Sequence, residues 1–365
     1  MKRYLVLFLL CVIPGALVSA QVDLQPVAIV RLTRSEPITV RQLKTEIEMM
    51  AWQILVPRLG RNPTSAELAR EVQNYDATER RQILELVIND RLALQAAERD
   101  RVTITENELN QQITQLRTRM TQTIGRSPTD EEFAIAIKNE TGLELPAFRE
   151  YQRRKAITQK YLLTKKQDLF ASVREPTQEE ILSVYNLRKS EFVRPDTVRF
   201  SMIQVPYGAD AASRNRARDL AESINRDIAS NPSRFDEAVI RGQAPNSGYQ
   251  AGDGGYLPRN IAAQQAAGTD FVNTAFSLRQ GEVSKVIEGI SGYQIIKITE
   301  TLPQKSLELD EIINPGSRTT VRQFIATNIY QQRQQEALIR ATQELVNELR
   351  TGNPFQIMEN NLTNW

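Results

Sequence analysis

One motif recurs through the first half of the chain and restricts its fold more than any other feature. A Thr or Asp is followed three residues later by Glu or Gln, the pattern of a capping box, in which two side chains bond the free N–H groups of a helix start. The pattern occurs at Thr39/Gln42, Thr64/Glu67, Asp76/Glu79, Thr105/Glu108, Thr129/Glu132 and Thr177/Glu180. Six helix starts before residue 181 predict a helical region, and Ile38 and Leu43 are spaced to form a hydrophobic staple at the first of them.

The apolar periodicity around these starts is helical. The clearest helix is predicted over Ala77–Arg99, where apolar residues recur every three or four positions opposite Glu and Arg. Two segments, 60–69 and 125–134, resemble each other and place a Pro just before a Thr cap, so each predicts a turn followed by a short helix. A short strand is predicted over residues 25–32, with a turn at 34–37.

The pattern changes after residue 192. We predict a strand over 197–205, a helix over 211–230 and a second helix opening at 231–235, followed by a Gly-rich loop over 242–258, a short helix over 271–278 and two strands within 281–299. This succession indicates a small α+β domain. After Pro303 the chain is predicted to return to helix, with one apolar stripe at Val321, Ile325 and Ile329 and another at Leu338, Leu345 and Leu349, ended by Gly352-Asn-Pro354.

The side-chain inventory excludes several chemistries. The chain contains no His and one Cys, Cys11, in an apolar N-terminal stretch. A His-based triad, a thiolate nucleophile, a His or Cys metal site and a disulfide are therefore excluded for a chain that has lost that stretch. No Walker motif and no carboxylate pair at a hydrolytic spacing occur, so we expect no cofactor, no metal and no nucleotide.

The first twenty residues have the pattern of a secretory signal peptide. Lys2 and Arg3 precede an apolar run over 4–13, and Val18-Ser-Ala20 offers small residues for cleavage before Gln21. An uncleaved anchor is the alternative, but the run is shorter than the roughly 20 residues of a spanning helix. Cleavage would leave 44 basic and 44 acidic residues, and a neutral chain gives no electrostatic reason to expect a nucleic-acid partner. We expect a soluble protein in the periplasm.

Six ordered blocks between 198 and 300 resemble the parvulin-type peptidyl-prolyl isomerase domain. They are Val198-Arg-Phe-Ser-Met-Ile-Gln-Val205, Phe235-Asp-Glu-Ala238, Gly252-Asp-Gly-Gly-Tyr-Leu257, Phe271-Val-Asn-Thr-Ala-Phe-Ser-Leu278, Gly281-Glu-Val-Ser284 and Ser291-Gly-Tyr-Gln-Ile-Ile-Lys-Ile298. The flanking segments resemble the SurA/PrsA family of exported chaperones and foldases. That resemblance implies an α+β fold with a helical chaperone domain over 21–190, a parvulin-like domain over 196–302, and a C-terminal helix and strand within 305–365 that pack on the N-terminal domain.

The resemblance also identifies the substrate groove and what is missing from it. Active parvulins place two His in the groove, at the positions of Met202 and Gln294 here, and a Cys or Asp near 244–246, where this chain has neither. Ser291 keeps the polar character of its counterpart, Phe271 matches the pocket aromatic, and Ile261 or Ala262 lies near the family's Met or Leu. Gly254 replaces a Leu in the turn. The expected groove residues are Met202, Ile261, Phe271, Ser291 and Gln294, with no residue assigned a catalytic role.

Each of these residues also has a plainer interpretation. Met202 and Phe271 could be core, Gln294 could face solvent, and Ser291 could serve only its turn. Tyr249, Tyr256 and Tyr293 could offer a binding surface or cap the sheet. Asp253, among glycines, could be an acid or could hydrogen-bond the backbone of a turn.

Two functions from different classes remain open. The first is an ATP-independent chaperone that holds unfolded or partly folded exported polypeptides, outer-membrane β-barrel proteins among them, with a parvulin domain that is weak or inactive as an isomerase. The second is an active prolyl isomerase, which would have to lower a barrier near 20 kcal/mol by shape and desolvation without its usual donors. A third, an interaction module of an envelope assembly, is less favoured. The absence of His at 202 and 294 favours the first.

Overall fold

The computed structural model describes residues 22–231, 233–244 and 246–363. All six predicted capping boxes are present, each with both reciprocal hydrogen bonds. The helix predicted over Ala77–Arg99 has those bounds. The two similar segments each lead into a helix, after a glycine with positive φ, Gly60 and Gly125. The signal-peptide prediction lies outside the described residues.

The described elements fall into two units, 1–173 with 334–365 and 174–333. The helices are α1 (Val40–Leu59), α2 (Ser65–Asn74), α3 (Ala77–Arg99), α4 (Glu106–Ile124), α5 (Asp130–Thr141), α6 (Leu145–Lys165), α7 (Gln167–Ala171), α8 (Gln178–Leu187), α9 (Ala211–Ser230), α10 (Arg234–Gly242), α11 (Ile261–Ala267), α12 (Thr269–Ser277), α13 (Val321–Arg350) and α14 (Asn360–Thr363). The strands are β1 (Pro26–Val30), β2 (Glu36–Thr39), β3 (Val193–Arg194), β4 (Thr197–Pro206), β5 (Gln250–Pro258), β6 (Ile287–Glu288), β7 (Gly292–Leu302), β8 (Lys305–Ser306) and β9 (Phe355–Ile357).

The first unit is helical and carries one small sheet. Its strands lie in the order β2-β1-β9, both pairs antiparallel, so the C-terminal strand completes a sheet begun near the N-terminus. The main core joins residues of β1, α1 and α3 to Leu345 and Leu349 of α13 and to Leu362. A second, smaller core joins α4, α5 and α6 around Phe133.

The second unit contains an antiparallel sheet in the order β5-β4-β7-β6. One face of this sheet packs on α11 and α12, and the other packs on α9 and α10. The segments that lead into and out of this sheet are joined to each other. Strand β3 pairs with β8, and the Gln304 amide donates to Asp196 Oδ1 at 2.8 Å. A separate apolar cluster joins Tyr185 of α8 to Val321 and Ile325 of α13.

Three predictions of local structure were wrong. The glycine-rich segment predicted as a loop over 242–258 forms strand β5 over its second half, because its backbone pairs with β4 along eight positions. The predicted turn at 34–37 runs into strand β2 at Glu36. After Pro303 the chain forms β8 and an irregular stretch before α13 begins at Val321, and the two apolar stripes belong to that single helix.

The predicted α+β class is confirmed. The predicted domain bounds stay predictions, and they differ from the two units in one respect: residues 174–190 and 305–333 group with the parvulin-like segment. Within the described residues, no helix has the length and apolar character needed to cross a membrane.

Candidate functional site

The predicted groove lies on the face of the β4–β7 pair that is covered by α11 and α12. Met202 stands opposite Ile296, and Gln204 stands opposite Gln294. Because directly opposed residues of an antiparallel pair point to the same face, these four side chains share one face of the sheet. Ile203 and Ile295 point to the other face, into the core with α9 and α10. We call the first surface the groove face.

The floor of the groove face is apolar and filled. Phe271 of α12 is 4% exposed, and its ring packs on Phe200 with centroids 5.4 Å apart and an interplanar angle of 70°. Phe200 also covers Gly254 of β5, where an added Cβ would lie 2.2 Å from the Phe200 ring. The Phe200 ring therefore takes the volume that a side chain at 254 would need. Met202 is half-buried against the same cluster.

The other end of the groove face is polar but uncharged. Gln204 Nε2 donates to Ser291 Oγ at 2.9 Å. The Gln294 side chain lies against Gly289, whose added Cβ would be 2.6 Å from Gln294 Oε1. That oxygen is buried and has no hydrogen-bond partner among the described residues. A buried amide oxygen without a donor is costly, so this end of the groove has an unused acceptor.

The structure brings together four of the five predicted groove residues. Met202, Phe271 and Gln294 belong to or border the groove face, and Ser291 reaches it through Gln204. Ile261 differs: it is 73% exposed, whereas the residues of α11 that pack on the groove cluster are Ala263 and Ala267. The roles of all five in binding stay predictions.

Sequence reasoning missed two contributors. Gln204 lies two positions after Met202, and the period of two in a strand puts both on one face. Phe200 lies two positions before Met202, although a bulge between Phe200 and Ser201 interrupts the pairing with β5. The strand period was the signal available for both residues.

The neighbouring polar residues form hydrogen bonds and ring contacts that stabilise the sheet. Asp253 accepts from the Gly255 amide at 3.0 Å and from Arg199 Nη2 at 2.6 Å, and the Arg199 hydrogen bond is the main cause that lowers the pKa of its carboxyl. The Asp253 carboxylate therefore holds the irregularity in β5 at Gly254, where the pairing with β4 shifts register. The Tyr249 hydroxyl donates to the Ala238 carbonyl at 2.9 Å, and Tyr293 is buried edge-on to Tyr207.

This arrangement limits the chemistry of the groove face. Its apolar, amide and hydroxyl groups could bind a peptide, but none of the residues described on it titrates near neutral pH. Among the described residues, no group of three or more His, Cys, Asp or Glu could hold a metal ion.

Comparison with known proteins identifies the module. Residues 176–314 match the PPIC-type PPIASE domain family. The chain is 26% identical over 229 residues to the chaperone SurA of Nitrosospira multiformis, an alignment that covers 62% of this chain and 48% of the relative. It is 32% identical over 83 residues to the foldase protein PrsA of Staphylococcus aureus, covering 22% of this chain and 24% of the relative.

A solved structure of a SurA-like chaperone from Campylobacter jejuni aligns over 92% of this chain and 99% of its own, with 12% identity and a TM-score of 0.34. The chain spans about half the length of the SurA relatives that it matches. The predicted parvulin-type domain and the resemblance to SurA and PrsA are confirmed.

Proposed function

We propose that the chain is an ATP-independent chaperone that holds unfolded polypeptides, and that its parvulin-type module binds peptide with little or no isomerase activity. One observation carries the proposal: Met202 and Gln294, which the sequence resemblance matches to the two His positions, lie on one groove face whose floor is apolar and whose polar end is uncharged. Such a surface offers contacts to an extended peptide without a strong proton donor.

The physics of isomerisation also supports peptide binding with little isomerase activity. Rotation about an X–Pro bond is slow because the twisted amide loses resonance, and a catalyst must bind the twisted form better than the planar one. A hydrogen bond to the proline nitrogen and a pocket for its ring provide that preference. Here Phe200 and Phe271 fill the apolar floor, so the ring has less room.

An active isomerase is the second candidate, and one observation favours it. The sequence resemblance matches Gln294 to a family His position, and its Oε1 is buried with no hydrogen-bond partner in the described ranges. Rotation of this amide by half a turn would direct an N–H into the groove, where it could donate to a proline nitrogen. A neutral amide is a weaker donor than an imidazolium, so we expect a small rate enhancement.

The place of action and the clients are part of the proposal. The N-terminal pattern of Lys2, Arg3 and the apolar run over 4–13 supports export, and the SurA and PrsA relatives agree with a role in the periplasm. We propose exported polypeptides, including outer-membrane β-barrel proteins, as clients. The absence of a Walker motif supports function without ATP.

The holding activity is tested by light scattering. A denatured β-barrel protein is diluted into buffer without nucleotide, with and without the mature chain at equal concentration. We expect the chain to suppress aggregation, whereas serum albumin at the same concentration does not. Scattering that the chain leaves unchanged would remove the proposal.

The site is tested by photocrosslinking from two matched isoleucines. Ile261 beside the groove face is 73% exposed, and Ile240 on α10, which packs on the other sheet face, is 69% exposed. We expect a photoreactive residue at position 261 to capture client and the same residue at 240 to capture much less. Equal capture would place binding elsewhere.

A further inference from the structure

A pocket lies in the first, helical unit. It has a volume of about 230 Å³ and opens between α1, α3 and α6. Its aliphatic wall is formed by Met50 of α1 and by Ile83, Leu86 and Val87 of α3. Leu86 is 59% exposed, so this wall is accessible from solvent. We call this cavity the interhelical pocket.

Two carboxylates also line the interhelical pocket, and both are poorly paired. Among the described residues, Glu46 forms one ion pair, with Arg154 Nη2 at 3.9 Å, which is too long for a hydrogen bond, and the charge of Arg91 acts on it from a greater distance. Asp90 has no salt bridge and no hydrogen bond within the described residues. Burial raises the pKa of both carboxyls, and Arg154 opposes the shift in each. The pocket therefore buries negative charge that its own residues compensate only in part.

The positive groups at the pocket are not well placed to complete that compensation. Arg91 lies 3.5 Å from Glu36, which lies outside the pocket. Arg154 is about one-third exposed, and within the described part of the chain its one ion pair is the long contact to Glu46, while its charge also acts on Asp90. Lys155 is exposed at the rim. An incoming cation can thus approach Glu46 and Asp90 by displacing Arg154 toward solvent.

We propose that the interhelical pocket binds a lysine or arginine side chain of an unfolded polypeptide. The aliphatic stem would lie on Met50, Ile83 and Leu86, and the charged head would reach Glu46 and Asp90. An apolar side chain would leave both carboxylates partly buried and incompletely paired, and an acidic one would add a third negative charge beside them. This inference rests on the proposed function, since it names a side-chain class that the chaperone would select.

The test uses the full mature chain and three short, unstructured peptides that differ only at the central residue. That residue is lysine, norleucine or glutamate, so that norleucine keeps the stem and removes the charge. Binding is measured by fluorescence anisotropy at low and at physiological salt. We expect the lysine peptide to bind about tenfold more tightly than the norleucine peptide, and the glutamate peptide to bind most weakly.

The same peptides are measured with three variants. Glu46→Gln and Asp90→Asn are each expected to remove most of the preference for lysine. Glu48→Gln is the matched control, because Glu48 lies on the same helix, also has its pKa raised by burial, and lines a different cavity beside Trp52. It should leave the preference unchanged.

The outcomes separate this inference from the proposed function. Equal binding of lysine and norleucine peptides, or a preference that survives both pocket variants, overturns the inference while leaving aggregation suppression intact. Tighter binding of the glutamate peptide also overturns it and assigns the pocket to Arg154 and Lys155. If no peptide binds, the inference fails, and the scattering experiment then decides separately whether the chaperone proposal stands.

Discussion

At the scale of single residues, five carboxylates of the first unit form two groups with opposite dependence on pH. Glu46 and Asp90 have raised pKa values because burial disfavours their charge. Glu67, Glu108 and Glu132 are partly exposed, and hydrogen bonds from Arg61, Lys160 and Arg126, respectively, are the main cause that lowers the pKa of each to about 2. The first group weakens the fold when ionised, whereas the second strengthens it.

We predict that Asp90→Asn stabilises the chain at neutral pH by about 1 kcal/mol. The folded-state pKa lies above the unfolded value, so the native state binds the proton more tightly and stability falls as pH rises through the folded pKa. The amide removes that loss. Urea unfolding at pH 4 and pH 7.5 should show a gain for the variant only at the higher pH, and a variant less stable than the wild type at pH 7.5 would contradict this assignment.

For Glu132→Gln we predict that the fold becomes less sensitive to acid. Stability from Glu132 is present above the unfolded pKa near 4.5 and is lost as pH falls toward about 2. Glutamine keeps the capping box, as Gln42 does at the start of α1, but carries no charge. The helical circular dichroism signal of the variant should decrease less between pH 4.5 and 2 than that of Glu131→Gln, which removes a charge in the same turn. Equal decreases would refute the prediction.

At the scale of elements, β4 and β5 show what a local pattern misses. The capping boxes were predictable because every partner lies within three residues, and all six are present. Strand β5 was not predictable, because glycine disfavours strands and the pairing that forms it is with residues about fifty positions away. Across that pairing, the Phe200 ring fills the space that a side chain at position 254 would occupy.

We predict that Gly254→Leu destabilises the parvulin-type module by about 1–3 kcal/mol, since the new side chain overlaps the Phe200 ring. Adding Phe200→Ala should recover at least half of that loss, because leucine then fills the vacated space. Gly252→Ala is the matched control, with no atom within 4 Å of the added Cβ. The measurement is denaturant unfolding. If the losses in free energy of unfolding of the two single variants add up in the double variant, leucine does not fill the space left by the Phe200 ring.

The groove face leads to a prediction of activity at the same scale. Met202→His together with Gln294→His would place two imidazoles on the same face of the β4–β7 pair, as proposed for active relatives. We expect the wild type to accelerate isomerisation of an Ala-Pro peptide little, and the double variant to accelerate it at least about tenfold more. A wild type as active as the double variant would favour the isomerase proposal. Four of the five predicted groove residues lie together at the groove face, whereas Ile261 is exposed on α11, and the filled floor could be recognised only from the packing of Phe200.

At the scale of the whole molecule, the C-terminal segment completes the first unit. The Met358 amide donates to the Val27 carbonyl at 2.9 Å, and buried Arg80 donates to the Leu362 carbonyl at 3.1 Å. The sequence could predict a strand and a helix in these regions, but the hydrophobic pattern does not specify which strand pairs with which. Such pairing is fixed by the closing of a core over more than 300 positions.

Ending the chain after Asn353 therefore tests the sheet of the first unit. We expect the β1 amides to lose protection from hydrogen exchange and the free energy of unfolding of this unit to fall by about 3 kcal/mol or more. The β4–β7 pairing lies wholly within 197–302 and should keep its protection. Unchanged protection of β1 would mean that β9 contributes little.

The pairing of β1 with β9 also has a consequence for how the chain matures. During synthesis, β1 emerges from the ribosome before β9, the second of its two neighbours, which follows some 325 residues later in the chain. Until β9 is available, one edge of β1 is unpaired, and an unpaired strand edge can pair with a strand of another chain. The intervening four-stranded sheet can assemble meanwhile from its own contiguous segment. A newly made copy thus passes through the same vulnerable condition as the polypeptides that it is proposed to protect.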